Sequence, residues 1–366
     1  MGFNCGIVGL PNVGKSTLFN ALTSTVQAEA ANYPFCTIEP NVGRVPVPDP
    51  RLDVLAKLSK SQKVIPTFLE IVDIAGLVRG ASKGEGLGNQ FLGHIRSVDA
   101  VLEVLRCFED PNVTHVEGSV DPLRDAETIE TELLLADLDS LERRIEPLRK
   151  RATGGDREAK IEAAVMERVL AALREGKPAR TVTLTAEDMR VFTQLHLLTA
   201  KPVLYICNVD ENSAAAGNAY SERVAAKAKT EGAGVVIVSA AIEAEVAQLG
   251  SAEERKDFLD SLGLSETGLD RVIGAGYALL DLVTFLTTGP KETRAWTVHR
   301  GATAPQAAGV IHTDFERGFI CAEVIAYEDF VASGSENAAK EAGKMRQEGR
   351  DYVIQDGDVV HFRFNV

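Results

Sequence analysis

No apolar run in this 366-residue chain approaches the roughly 20 residues that cross a bilayer, which excludes a helical membrane protein. No charged n-region or separate apolar h-region marks the start, so no signal peptide is read there, and a myristoylation signal is argued against because Gly6 stands where Ser or Thr is needed. Cysteine is scarce and scattered. Cys5, Cys36, Cys107, Cys207 and Cys321 form no C-x-x-C pair, so they read as reduced thiols of a cytoplasmic protein rather than a disulfide frame or a zinc site. Positive charge is also short. Lys and Arg number 39 against 53 Asp and Glu, a net charge of −14, which excludes binding nucleic acid with the whole surface and leaves only local basic patches for that purpose. The ordinary hydrophobic content (45%) and the length then suggest two or three globular domains.

What is present begins at once. Gly9-Leu10-Pro11-Asn12-Val13-Gly14-Lys15-Ser16-Thr17 fits G-x-x-x-x-G-K-[ST] at every fixed position, between a strand-like Phe3–Val8 and a helical Ser16–Leu22. Such a loop turns backbone N–H groups inward as an anion nest and adds the positive end of a helix dipole. Asn12, Val13, Gly14, Lys15, Ser16 and Thr17 are the expected phosphate cradle, with Lys15 on the β- and γ-phosphates and the Ser16 hydroxyl on Mg²⁺.

The expected partners of the cradle follow in order. Thr37, in a proline-bounded loop, is the candidate to complete the Mg²⁺ shell. Asp73 ends the strand-like Thr67–Val72 and takes the Walker-B role at the metal, while Gly76 can bring its N–H close to a γ-phosphate. Leu77 stands where related switch GTPases carry a water-orienting glutamine; an apolar side chain cannot do that work. His115, after the strand-like segment 100–108, is the candidate to fill that role. Residues 80–90 are glycine-dense and read as a loop that rearranges with nucleotide.

From Asp121-Pro122 the pattern becomes helical. Leu134, Leu138, Leu141, Ile145 and Leu148 recur at coiled-coil spacing, Pro147 is expected to kink or end the helix, and Ile161, Val165, Val169 and Leu173 mark a returning helix after Gly154-Gly155-Asp156. Arg143, Arg144, Arg149, Lys150 and Arg151 make the far end of this hairpin basic, either a solvated face or a contact for RNA or an acidic partner. Thr185 opens a further helix to about Leu198. Asn208-Val209-Asp210-Glu211 then occupies the place of the guanine-reading N-K-x-D. Val209 removes the stacking cation and Glu211 replaces the bidentate aspartate, so guanine selection weakens and ATP is favoured, with a guanine-specific GTPase as the alternative. Ser239 and Ala240 begin the loop that covers the base.

The fold class is therefore α/β: a P-loop, doubly wound parallel sheet over residues 3–278, interrupted by a helical hairpin at 121–200. Residues 281–364 form a second, β-grasp-like module with strands at 282–289, 293–298 and 319–325, helices at 305–315 and 337–348, and closing strands at 352–354 and 359–364. It holds no catalytic constellation and reads as a binding module.

Taken together, Gly9 to Thr17, Asn32 to Thr37, Asp73 to Gln90, Asn208 to Glu211, Arg294 to Thr297, Gly301 to Gly309 and Ile311 to Phe319 resemble the YchF-type Obg-like ATPases over essentially the full length. The resemblance implies a C-terminal TGS domain, slow ATP hydrolysis preferred over GTP, and association with the ribosome through the helical insert and the TGS-like domain. It implies that the family's hydrophobic replacement of glutamine is Leu77, that its catalytic histidine is His115, that Val209 acts through its backbone, and that Asn12 stands near a K⁺ ion. Two roles follow: an enzyme turning over ATP, and a switch whose nucleotide state sets its engagement with a partner.

Overall fold

The computed structural model describes residues 3–30, 42–74, 87–116 and 118–365. In chain order the elements are β1 (Asn4–Val8), α1 (Lys15–Ala30), β2 (Val42–Pro46), α2 (Pro50–Ser59), β3 (Lys63–Ile65), β4 (Phe68–Asp73), α3 (Leu87–Ser97), β5 (Ala100–Cys107), α4 (Pro122–Thr153), α5 (Arg157–Arg174), α6 (Ala186–Gln194), β6 (Val203–Val209), α7 (Ala219–Glu231), β7 (Gly234–Val238), α8 (Ala240–Val246), α9 (Ala252–Ser261) and α10 (Gly268–Leu279). The C-terminal part continues with β8 (Leu282–Thr288), β9 (Glu292–His299), α11 (Ala304–Ile311), α12 (Thr313–Arg317), β10 (Phe319–Ala326), α13 (Tyr327–Ser333), α14 (Glu336–Glu341), β11 (Arg346–Glu348) and β12 (Asp358–Phe364).

The first sheet runs β2-β4-β1-β5-β6-β7, parallel except for β2. Strands β5 and β6 are buried at every residue, because helices cover both faces. The parallel order brings the C-terminal ends of β1, β4, β5 and β6 to one rim, where an α/β sheet binds its ligand.

The insert is a hairpin of α4 and α5 with its own core of Leu141, Ile145, Leu148, Val165, Met166 and Val169. Pro147 neither ends nor caps α4, which runs 32 residues to the Gly154 cap. A proline inside a helix costs about 3 kcal/mol. Burying Leu141, Ile145 and Leu148 against α5 recovers roughly 1.5–3 kcal/mol each and holds the helix through the defect. Helix α6 stops at Gln194, short of Leu198, because buried Asp137 on α4 accepts the Leu198 and Thr199 N–H groups at 2.9 and 2.8 Å and draws that backbone out of helix. At the basic end of the hairpin the arginine side chains are 77% (Arg143), 49% (Arg149) and 62% (Arg151) exposed and carry surface ion pairs. Arg143 pairs with Asp139, Arg149 with Glu146 and Glu167, and Arg151 with Asp156.

The second sheet runs β11-β10-β12-β8-β9-β3. Its last strand comes from far upstream: Lys63–Ile65 pair in parallel with Glu292–Arg294. Helix α2 packs Leu52 and Leu55 against Leu286, Ile325 and Phe330. Arg51 bridges Asp49 and Asp356, the latter at 2.7 Å, and Asp356 also accepts the Thr284 N–H. Three local expectations fail here. Residues 337–348 hold only the short α14 and then β11; the helix at 305–315 breaks at His312, whose ring accepts the Asp314 N–H; and 352–354 make one bridge, from Val353 to Thr303, instead of a strand.

Candidate functional site

The rim of the first sheet assembles the predicted cradle. β1 pairs with β4 so that Ile7 lies opposite Asp73, and the loop after β1 therefore turns beside the Asp73 carboxylate. Lys15, the first residue of α1, forms an ion pair with Asp73, and their side chains are only 10% and 19% exposed. Ser16 and Thr17 in the same helical turn are exposed, as is Asn12. The loop needs its glycines. A Cβ on Gly9 would lie 2.8 Å from the Val104 carbonyl oxygen, and Gly14 has φ +90° with the Asn208 amide filling the place of a side chain. Asn12 also sits at φ +66° and donates to the Thr114 carbonyl at 3.0 Å, which ties the loop to the segment after β5.

The donor set suits Mg²⁺. Ser16 supplies an exposed hydroxyl and Asp73 a carboxylate at the rim, both hard oxygens, and one or two such groups plus phosphate oxygens are what this ion takes. Among the described residues no cluster of three His, Cys, Asp or Glu could hold a metal by itself. Thr37, Gly76 and Leu77 lie outside the described residues.

At the other end, Asn208 is 3% exposed and fully engaged within the protein: its amide donates to the Val13 carbonyl at 2.8 Å, and its oxygen accepts the Ala240 N–H at 2.9 Å. Asn208 thus straps the phosphate loop to the base loop. The Val209 side chain is buried in the core of the sheet. Asp210 caps the turn Glu211–Ser213 by accepting the Ser213 N–H and hydroxyl, leaving Glu211 exposed at its start. The Ser239 hydroxyl is buried without a hydrogen-bond partner, next to the strapped Ala240.

His115 lies in the segment joining β5 to α4. Its Nε2 is 2.8 Å from Asp125 Oδ2, and both side chains are at most 5% exposed. The sequence reading missed Asp125, which has no motif spacing and looks like an ordinary first-turn acid of α4. It also missed Glu243 on α8, whose carboxylate accepts the Gly268 and Leu269 N–H groups at the start of α10, at 2.7 and 3.3 Å. Burial pushes the Glu243 carboxyl up to about 7 despite those two amides. Cys107 and Cys207, on adjacent strands, are buried, and their mutual contact and burial push the Cys107 thiol far up, so it behaves as core.

Two family models match the chain. One describes a 50S ribosome-binding GTPase and covers residues 4–140; the other, for the C-terminal region of YchF GTPases and described only as a protein of unknown function, covers 282–365. The chain is 62% identical to the ribosome-binding ATPase YchF of Haemophilus influenzae and 54% identical to that of Bacillus subtilis, with all of each chain covered. Among solved structures it is similar to the YchF GTPase of Schizosaccharomyces pombe, at a TM-score of 0.89 and 40% identity over 99% of this chain and 98% of that one.

Proposed function

Because the chain belongs to the YchF family, we propose that it is a P-loop ATPase that binds and slowly hydrolyses ATP and associates with the ribosome. The observation that carries the choice of ATP is the base end of the site. Where a guanine reader holds a stacking lysine, Val209 is buried in the core, and Glu211 replaces the bidentate aspartate. Relatives bear both names, ATPase in the two bacterial proteins and GTPase in the yeast one, so the base preference calls for a direct measurement.

In this reading Lys15 and the N–H groups of residues 12–17 bind the phosphates, and Ser16, Thr37 and Asp73 supply oxygen ligands for Mg²⁺. The metal would screen phosphate charge. Binding exchanges the Lys15–Asp73 ion pair for contacts of each partner with the nucleotide complex, and the Gly76 N–H serves the γ-phosphate. The buried Ser239 hydroxyl gains a partner when the base packs against Ala240. His115 holds the attacking water in place of Leu77, and Asn12 would help hold a K⁺ ion. The helical insert and the C-terminal domain face the ribosome, and that partner implies a cytoplasmic location. Within the described residues no helix is long and apolar enough to cross a membrane.

Competition of unlabelled ATP and GTP for a labelled nucleotide on the purified protein tests this reading. ATP should displace the label at lower concentration; micromolar retention of GTP with negligible retention of ATP would overturn it. Sedimentation with ribosomes across salt and nucleotide tests the partner, and a nucleotide-independent absence of binding counts against it.

A further inference from the structure

We propose that Asp125 is a positioning residue for ATP hydrolysis, acting only through His115. The proposal rests on His115 as the group that serves the attacking water and assigns the device that aims it.

The backbone on either side of His115 is pinned. Arg106, 2% exposed at the end of β5, donates to the carbonyls of Phe108, Asp110 and Val113. Asn12 of the phosphate loop donates to the carbonyl of Thr114. His115 is therefore one residue from a direct tie to the cradle, on a segment whose path is set by the cradle and by β5. Its ring direction is set separately, by Asp125 from the first turn of α4.

Asp125 is itself supported on its other side. Arg124 lies 3.3 Å from its other oxygen, and the N-terminal turn of a 32-residue helix favours negative charge there. A carboxylate facing Nε2 keeps the proton on that nitrogen. That contact fixes the tautomer and the direction of the ring, and with them the face that it turns to the attacking water. Without Asp125 the other tautomer and other ring directions compete, and the fraction of molecules able to hold the water falls.

The test is a double-mutant cycle on turnover. Phosphate release and affinity for a fluorescent ATP analogue are measured for the parent, His115→Ala, Asp125→Ala, Asp125→Asn and both Asp125 changes in the His115→Ala background. Asp125→Asn keeps the side-chain shape and a neutral acceptor, so the answer does not depend on the alanine variant folding. We expect His115→Ala to lower kcat, Asp125→Ala to lower it nearly as far, and Asp125→Asn to lower it by roughly tenfold, with nucleotide affinity within about twofold of the parent. On the His115→Ala background neither Asp125 change should lower kcat further. A parent-like kcat for both Asp125 variants overturns the proposal, and so does an equal further loss when His115 is already absent, or an effect confined to affinity. If His115→Ala itself turns over like the parent, the catalytic role of the histidine is what fails.

Discussion

The two ends of the nucleotide site are built on opposite principles. At the phosphate end the polar groups are held out: Asn12, Ser16 and Thr17 are exposed, Asn12 and Gly14 sit at positive φ, and the ion pair of Lys15 with Asp73 occupies the middle. At the base end the polar groups are spent on one another. Asn208 is bonded on both sides, Asp210 caps its own turn, and Glu243 holds the next helix. A polyphosphate makes the same demand in every protein, so its receptor is local backbone geometry. A base is recognised by the shape of a pocket, and here that shape is maintained by tertiary hydrogen bonds that join four separate segments.

The sharpest way to break the comparison is at the one point where the ends touch. Gly14 is left-handed at φ +90°, and any side chain there would overlap the Asn208 amide nitrogen. Gly14→Ala therefore incurs backbone strain and also pushes away the strap to Ala240. A combined penalty of about 3 kcal/mol corresponds to roughly a 100-fold loss of nucleotide affinity. Titration with a fluorescent ATP analogue measures it. Affinity within a few-fold of the parent would mean that the two ends are not mechanically joined.

Next in size is Asn208→Ala. It leaves the buried Val13 carbonyl and Ala240 N–H without partners, at about 1–3 kcal/mol each. If Asn208 is a strap, ATP and GTP lose affinity by the same factor, roughly tenfold, and the melting temperature falls. If it reads the base, the ratio of the two affinities changes while the fold is untouched. Parallel isothermal titrations with both nucleotides separate these outcomes.

This division also explains what could be read from the chain before its structure. The P-loop is consecutive residues whose spacing is its geometry, and Asp73 follows because an acid at the end of a buried strand has few other uses. Alternation of strand and helix gave the parallel sheet. What stayed hidden depends on partners far along the chain. Lys63–Ile65 is a three-residue strand without a clear apolar alternation, and its partner β9 is more than 200 residues away. Pro147 argues locally for a helix end and is overruled by packing on α5. Residues 337–348 are rich in helix formers, yet 346–348 join the edge of a sheet against β10. Asp125 and Glu243 are typical helix-surface acids in sequence and become buried only because of the turn that each faces.

The smallest effect concerns that last residue. Glu243 is 2% exposed, and its carboxyl lies at about 7 instead of the ordinary 4.5, first because burial penalises the charge, with Asp270 adding to the rise while the Gly268 and Leu269 amides and Arg271 oppose it. The folded protein keeps this proton at pH values where the unfolded chain has released it. The stabilising contribution is therefore complete below about pH 4.5 and declines as pH rises to about 7, by at most about 3 kcal/mol. Glu243→Gln stays neutral and keeps the acceptor for Gly268, while its amide group meets the Leu269 N–H less well. It should be slightly less stable than the parent at pH 5 and should gain on it steadily up to pH 7.5, by a few degrees in melting temperature, roughly 1 kcal/mol or more. Thermal melts of the two proteins at matched salt give the difference directly. Curves that run parallel across this range would show that the α8–α10 junction is held without a proton. The Gly268 and Leu269 N–H groups would then be held by an ionised Glu243 throughout, and Glu243→Gln would differ from the parent by the same amount at every pH.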